Sequence, residues 1–130
     1  MTPKREVPKP PVLAAIRSVD QHNSIVVRGG DFLFVCGMTA IDLESGESKR
    51  GTTASETRQI LTNLKEILET AGSSLDNVVK ITVLLHSMLE APNMNEVYAR
   101  FFPVFPPART VCGARLSHGM KVIIECTALA

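Results

Sequence analysis

Tryptophan is absent from this chain and tyrosine occurs once, at Tyr98. With five phenylalanines the aromatic share is 5%, too thin for the stacking platforms that line single-strand nucleic-acid grooves. An excess of one charge is missing as well. Fourteen Lys and Arg against thirteen Asp and Glu leave a net charge of +1, so a dedicated nucleic-acid surface is not expected. Cysteine is scarce, odd in number and dispersed, at Cys36, Cys112 and Cys126. That argues against a disulfide framework and makes a reducing compartment, the cytoplasm, the default. The histidines, His22, His86 and His118, have no metal-ligand spacing, and no metal is expected. No apolar run approaches the ~18 residues of a membrane span. Residues 1–11 are rich in proline and lysine without an apolar stretch, so a secretory signal is not expected. Glycine-rich phosphate loops, HExxH, GxSxG and calcium-loop patterns are all absent, and nothing points to nucleotide, zinc-protease or serine-hydrolase chemistry.

What is present is apolar. Of 130 residues 45% are hydrophobic, and the mean hydropathy of +0.13 is high for a chain that must cover its own surface. The excess points to burial against other subunits. The length suits one domain with a real core. Four of the eight prolines fall at Pro3, Pro8, Pro10 and Pro11. We therefore divide the chain into a flexible lead-in, residues 1–12, and a single domain, residues 13–130.

Residues 24–27 and 32–37 are apolar runs on either side of Arg28-Gly29-Gly30-Asp31, the pattern of a β-hairpin. Thr53 and Glu56 are spaced as a capping box. Behind them Ile60, Leu61, Leu64, Ile67, Leu68 and Ala71 recur on one helical face, with Gly72 as the left-handed stop. Residues 78–85 are β-branched and almost continuously apolar, predicting a strand buried on both faces. A second helix is predicted over 91–102, with Met94, Val97, Tyr98, Phe101 and Phe102 as its stripe and Pro103 ending it. Strands are expected at 109–116 and 121–129 around a Ser117-His118-Gly119 turn. A further N-terminal strand is expected near residues 14–19. The order β-β-α-β-α-β-β predicts an α+β fold, a sheet with two helices on one face.

Chemistry concentrates in residues 95–110. Arg109 opens an apolar strand behind a proline-rich corner. Its planar fork of donors suits a small carboxylate held by two parallel hydrogen bonds. The plainer and commoner reading is a solvated arginine at a strand entrance. Asn95 and Tyr98 on the preceding helix could donate to a ligand or simply cap and pack. Cys36 reads as a small buried residue before it reads as a nucleophile. Gly37 after it would allow close approach of backbone or ligand. Glu125 sits within Val122-Ile123-Ile124-Glu125-Cys126. It either faces solvent on a half-exposed strand or is held in a site that raises its pKa.

Five segments in order are similar to the RidA/YjgF family, also known as L-PSP endoribonuclease-like proteins. They are Gly30-Asp31-Phe32-Leu33-Phe34-Val35-Cys36-Gly37, Thr57-Arg58-Gln59 with Asn63-Leu64-Lys65, residues 71–80, Asn95-Glu96-Val97-Tyr98, and Pro107-Ala108-Arg109-Thr110. The resemblance covers about residues 24–129. It implies a chorismate-mutase-like α+β subunit, mostly antiparallel, assembled as a homotrimeric barrel with ligand clefts between subunits. It also implies hydrolysis of 2-imino or enamine acids to 2-keto acids and ammonia, without cofactor or metal. Arg109 takes the place of the family arginine that grips the substrate carboxylate. Asn95 keeps the family asparagine, Cys36 stands at a family serine, and backbone N–H groups near Val111 or Cys112 would help hold the carboxylate. Three departures follow from the same alignment. Asn23 stands where deaminating members carry tyrosine. Ile123 stands at the first of two glutamates that handle water, leaving Glu125 as the second and as the candidate catalytic carboxylate. The 109–116 stretch is one residue short, enough to invert a strand's faces unless a bulge absorbs it.

Two functions of different kind thus stand side by side: a deaminase of reduced activity, and a non-catalytic trimer that binds small carboxylates. A ribonuclease role is disfavoured by the near-zero charge and the lack of an acid–base histidine pair.

Overall fold

The computed structural model describes residues 22–130 and the backbone of a two-residue strand near the N-terminus. The elements in order are β1 (Arg5–Glu6), β2 (Val26–Gly29), β3 (Phe32–Met38), α1 (Thr53–Thr70), β4 (Val78–Leu85), α2 (Ala91–Phe101), β5 (Ala108–Gly113) and β6 (Val122–Leu129). They form one sheet in the order β1-β2-β3-β6-β4-β5. Every neighbouring pair is antiparallel except β4 with β5, which is parallel because α2 crosses between them. The α+β sheet with two helices on one face is as the sequence predicts. The expected strand near residues 14–19 and the rest of the lead-in lie outside the described residues.

The hairpin turn is tighter than predicted. Arg28 and Gly29 belong to β2, with Gly29 opposite Phe32, and only Gly30 and Asp31 turn the chain. Gly30 takes φ +59°, which glycine adopts without steric cost. The start of α1 also differs. Its N-cap is Thr52, and the capping box is formed with Ser55 rather than by Thr53 and Glu56. Glu56 is released from capping and fully buried. Its Oε1 accepts from the Lys121 backbone N–H at 2.8 Å and its Oε2 from that of Gly51 at 3.0 Å. The Lys121 ammonium lies 3.9 Å away. One carboxylate thus pins the loop before α1 to the start of β6. The stop of α1 matches expectation. Gly72 at φ +86° lets its own N–H reach Glu69 and that of Ser73 reach Leu68, a Schellman closure.

Between sheet and helices lies a dry core in which Leu33, Ile60, Leu61, Leu64, Ile81, Val83, Leu85 and Ile124 are essentially inaccessible. A Leu→Ala change at such a site costs about 2–5 kcal/mol. The expectation that β4 is buried on both faces does not hold within one chain. Ile81, Val83 and Leu85 are buried, whereas Lys80, Thr82 and Leu84 on the other face are half-exposed. Among the described residues that second face of the sheet carries no helix. Phe34 there is 48% exposed.

A bulge decides which residues face it. Val35 pairs with Cys126 and Met38 with Ile124, so Cys36 and Gly37 together oppose Glu125. Leu33 and Val35 point to the core before the bulge and Met38 after it. A Cβ at Gly37 would sit 3.0 Å from the Ile123 side chain; the close approach expected at this glycine is made by a neighbouring strand. The fifth strand is shorter than predicted. It ends at Gly113 rather than reaching residue 116, and the chain leaves it through Ala114, whose N–H bonds the Leu85 carbonyl.

Candidate functional site

The edge strand β5 starts directly after Pro106-Pro107, which lack the N–H groups a strand needs. Arg109 pairs in register with the buried Ile81, so its side chain leaves the sheet on the helix side. At an edge no further strand covers it, and it runs out over α2. There its Nη1 donates to Asn95 Oδ1 at 2.7 Å, and its guanidinium carbon lies 4.6 Å from the centre of the Tyr98 ring. Asn95 and Tyr98 are three residues apart, so one helix face supplies both contacts. The sequence leaves each free to donate to a ligand or to cap and pack; in the structure both engage Arg109. Tyr98 is only 6% exposed and packs on Phe102, ring centres 4.9 Å apart. Burial raises the Tyr98 phenol above its usual pKa, while the Arg109 charge pulls it the other way. The Tyr98 hydroxyl is buried without a hydrogen-bond partner. These groups line a cleft of about 350 Å³ whose other walls are Ala99, Phe102, Pro106 and Pro107. The cleft is thus mostly apolar, with one guanidinium in its wall.

The other residues predicted for the site lie elsewhere. Glu125 is exposed on the helix-free face of the sheet. It pairs with Thr82, and Thr82 pairs with Thr110. Cys36, Ser24, Lys80 and Thr127 share with it a second hollow of about 310 Å³. There the Lys80 ammonium donates to Thr110 Oγ1 at 2.7 Å. Ile123, half-buried, lies on the same face two residues from Glu125. Asn23, at the position of the family tyrosine, is exposed beside Ser24. The Val111 side chain packs against the core, and Cys112 is exposed. Arg109 and Asn95 therefore meet, and Cys36 and Glu125 meet, but the two groups sit on opposite faces of one sheet. Sequence reasoning missed the hold of Tyr98 on Arg109, and the Lys80, Thr82 and Ser24 contributions to the second hollow. Period-two alternation of Lys80 and Thr82 in β4 was the signal for the latter. Among the described residues no three His, Cys, Asp or Glu side chains converge as a metal site would require. No helix among them is long and apolar enough to cross a membrane.

A mostly antiparallel sheet backed by two helices, with an arginine cleft at its parallel edge, is a chorismate-mutase-like α+β subunit. The endoribonuclease L-PSP family model matches residues 12–130, and the chain belongs to that family, the RidA/YjgF proteins. It is 42% identical over 106 residues to a RutC family protein of Pyrococcus horikoshii, covering 81% of this chain and 84% of that one. It is 39% identical over 98 residues to a mouse protein named 2-iminobutanoate/2-iminopropanoate deaminase, covering 75% and 73%. The crystal structure of RidA from an Antarctic Psychrobacter superposes with a TM-score of 0.85 at 28% identity, covering 97% of this chain and all of that one.

Proposed function

We propose that this protein hydrolyses reactive 2-imino and enamine acids to 2-keto acids and ammonia, in the cytoplasm, as a homotrimer and without cofactor or metal. The observation that carries the reading is the Arg109 fork, held by Asn95 and Tyr98 at the mouth of an apolar cleft. Relatives named as deaminases of such acids support it. In the reaction the carboxylate docks on Arg109 and on outward N–H groups of the edge strand near Val111 and Cys112. Water adds to the imine carbon, the nitrogen takes up the protons, and the C–N bond breaks to release ammonia and leave the keto oxygen. Among the described residues no carboxylate pairs with Arg109. Glu125 can serve only if a neighbouring copy brings its helix-free face to the β5 edge, which is why the trimer belongs to the proposal. Asn23 and Ile123 cannot orient water as a phenol or a second carboxylate would. Loss of a positioned acid–base group typically removes ~10²–10⁴ of rate, so we expect weak catalysis.

The separation of Arg109 from Glu125 also favours a second reading, a trimer that binds 2-keto acids without turning anything over. One experiment distinguishes them. An amino-acid oxidase generates 2-iminopropanoate or 2-iminobutanoate, and its decay is followed with and without the protein. Accelerated decay that is lost in Arg109→Ala and in Glu125→Ala, and increased by Ile123→Glu, supports the deaminase. No acceleration, together with 2-oxobutanoate binding that Arg109→Ala abolishes, establishes the binder. Removing one partner of a desolvated charged pair costs roughly 2–5 kcal/mol of affinity. Equal binding by wild type and Arg109→Ala rules out both.

A further inference from the structure

Arginine at an edge strand is ordinarily a mobile side chain, and ordering it opposes ligand binding. Here three observations say that it is ordered before any ligand arrives. Asn95 Oδ1 takes one guanidinium nitrogen at 2.7 Å. The guanidinium carbon lies over the Tyr98 ring, 4.6 Å from its centre, within the range of a cation–π contact. The ring itself cannot swing away, because it is buried and packed on Phe102. A fourth observation concerns the far end of the ring. Its hydroxyl is buried and unpartnered, which costs folding free energy unless something else gains. Next to it Ala99 is exposed and small and lines the same cleft as Arg109.

From this geometry we infer that Tyr98 is a positioning residue for carboxylate recognition: its ring fixes the plane of the Arg109 guanidinium so that the donors not used by Asn95 face the cleft as a ready-made fork. The inference rests on the reading above that Arg109 receives a carboxylate. It adds that affinity depends on an aromatic face at position 98, not on a hydroxyl there. Asn95 sets the in-plane rotation of the guanidinium and Tyr98 its tilt. With either missing the fork would still be charged, but would have to be ordered at the moment of binding.

The chain lends itself to the test, because Tyr98 is its only tyrosine and tryptophan is absent. Tyrosine emission therefore reports on this one site. Titration of wild type with 2-oxobutanoate should change that emission with the same midpoint that calorimetry gives. Tyr98→Phe keeps the ring and should bind within about twofold of wild type. Tyr98→Leu keeps an apolar side chain, though a smaller one, and loses the π face, and should bind roughly 2- to 30-fold more weakly. In the NMR spectrum of the unliganded wild type, the Arg109 Nε–H and Cδ protons should be displaced by the ring current and show restricted motion. A folded Tyr98→Leu that binds as wild type does overturns the inference and leaves the carboxylate reading standing. Wild type that does not bind 2-oxobutanoate at all overturns both. Should Tyr98→Leu fail to fold, the wild-type spectrum decides alone: Arg109 signals at their free, mobile positions would end the proposal.

Discussion

On the helix-bearing face of the sheet, a carboxylate with nothing accessible finds two backbone donors and an ammonium: Glu56 binds Gly51, Lys121 and the Lys121 side chain. On the helix-free face Glu125 is exposed, and Phe32, Phe34 and Leu129 stand 40%, 48% and 42% exposed around it. The same residue type plays opposite parts. Glu56 is a structural pin whose lone pairs are committed. Glu125 is an exposed carboxylate on a face that also exposes large apolar side chains. Committed polar groups serve the fold of one chain; uncommitted ones are available to a ligand or to a second copy. Arg109 stands between the two cases at the strand edge, with one donor committed to Asn95 and its side chain lining the cleft.

Four substitutions, in three comparisons, test the contrast, taken from large effect to small. Glu56→Ala removes the acceptor of two buried N–H groups and strands the Lys121 charge. It should cost about 3–5 kcal/mol of stability, read as a lower urea midpoint with an unchanged slope. Glu125→Ala in the same assay should move stability by no more than about 0.5 kcal/mol; an equal loss in both would erase the distinction. Second, the alkaline limb of the stability curve should carry the mark of Cys126. Burial, aided by Glu125 and Cys36, pushes its thiol from 9.0 up to about 12. A raised folded pKa holds the proton that the unfolded chain releases. Its stabilisation is therefore complete below pH 9 and is lost as pH climbs towards 12, by up to about 1.4 kcal/mol per pH unit. Cys126→Ala should flatten that limb. Third, Phe34→Asp adds a charge to the helix-free face and touches no core group. It should leave the stability of the single chain within about 0.5 kcal/mol, yet sediment near 14.1 kDa where the wild type sediments as a trimer. A wild type that is itself a monomer would show that the open face needs no cover.

How much of this was legible beforehand depends on the range of the interaction. The stripe of Ile60, Leu61, Leu64, Ile67 and Leu68 marks α1 and its buried side, because helical period is a local property. Gly72 marks its end for the same reason. The capping box was misplaced by one residue because Thr52 and Thr53 are interchangeable by type. Only the long-range demand of Lys121 and Gly51 for a buried acceptor draws Glu56 inward. Arg109 was legible as a carboxylate receptor from residue type and its proline-rich approach. The contacts that hold it were not, since Asn95 and Arg109 lie fourteen positions apart in the chain.

The sequence by itself determined the α+β order of elements, the two helix stops, the family and the arginine. Tertiary structure decided the faces. The Cys36–Gly37 bulge set the parity of β3 against β6, and the parallel pairing of β5 sent Arg109 to the helix side while Thr110 and Glu125 went to the other. Side chains alternate along a strand with period two, so a one-residue shift in pairing exchanges core for surface while leaving the local pattern almost unchanged. Local pattern therefore names the groups capable of chemistry, and only the pairing of distant strands says which of them can meet.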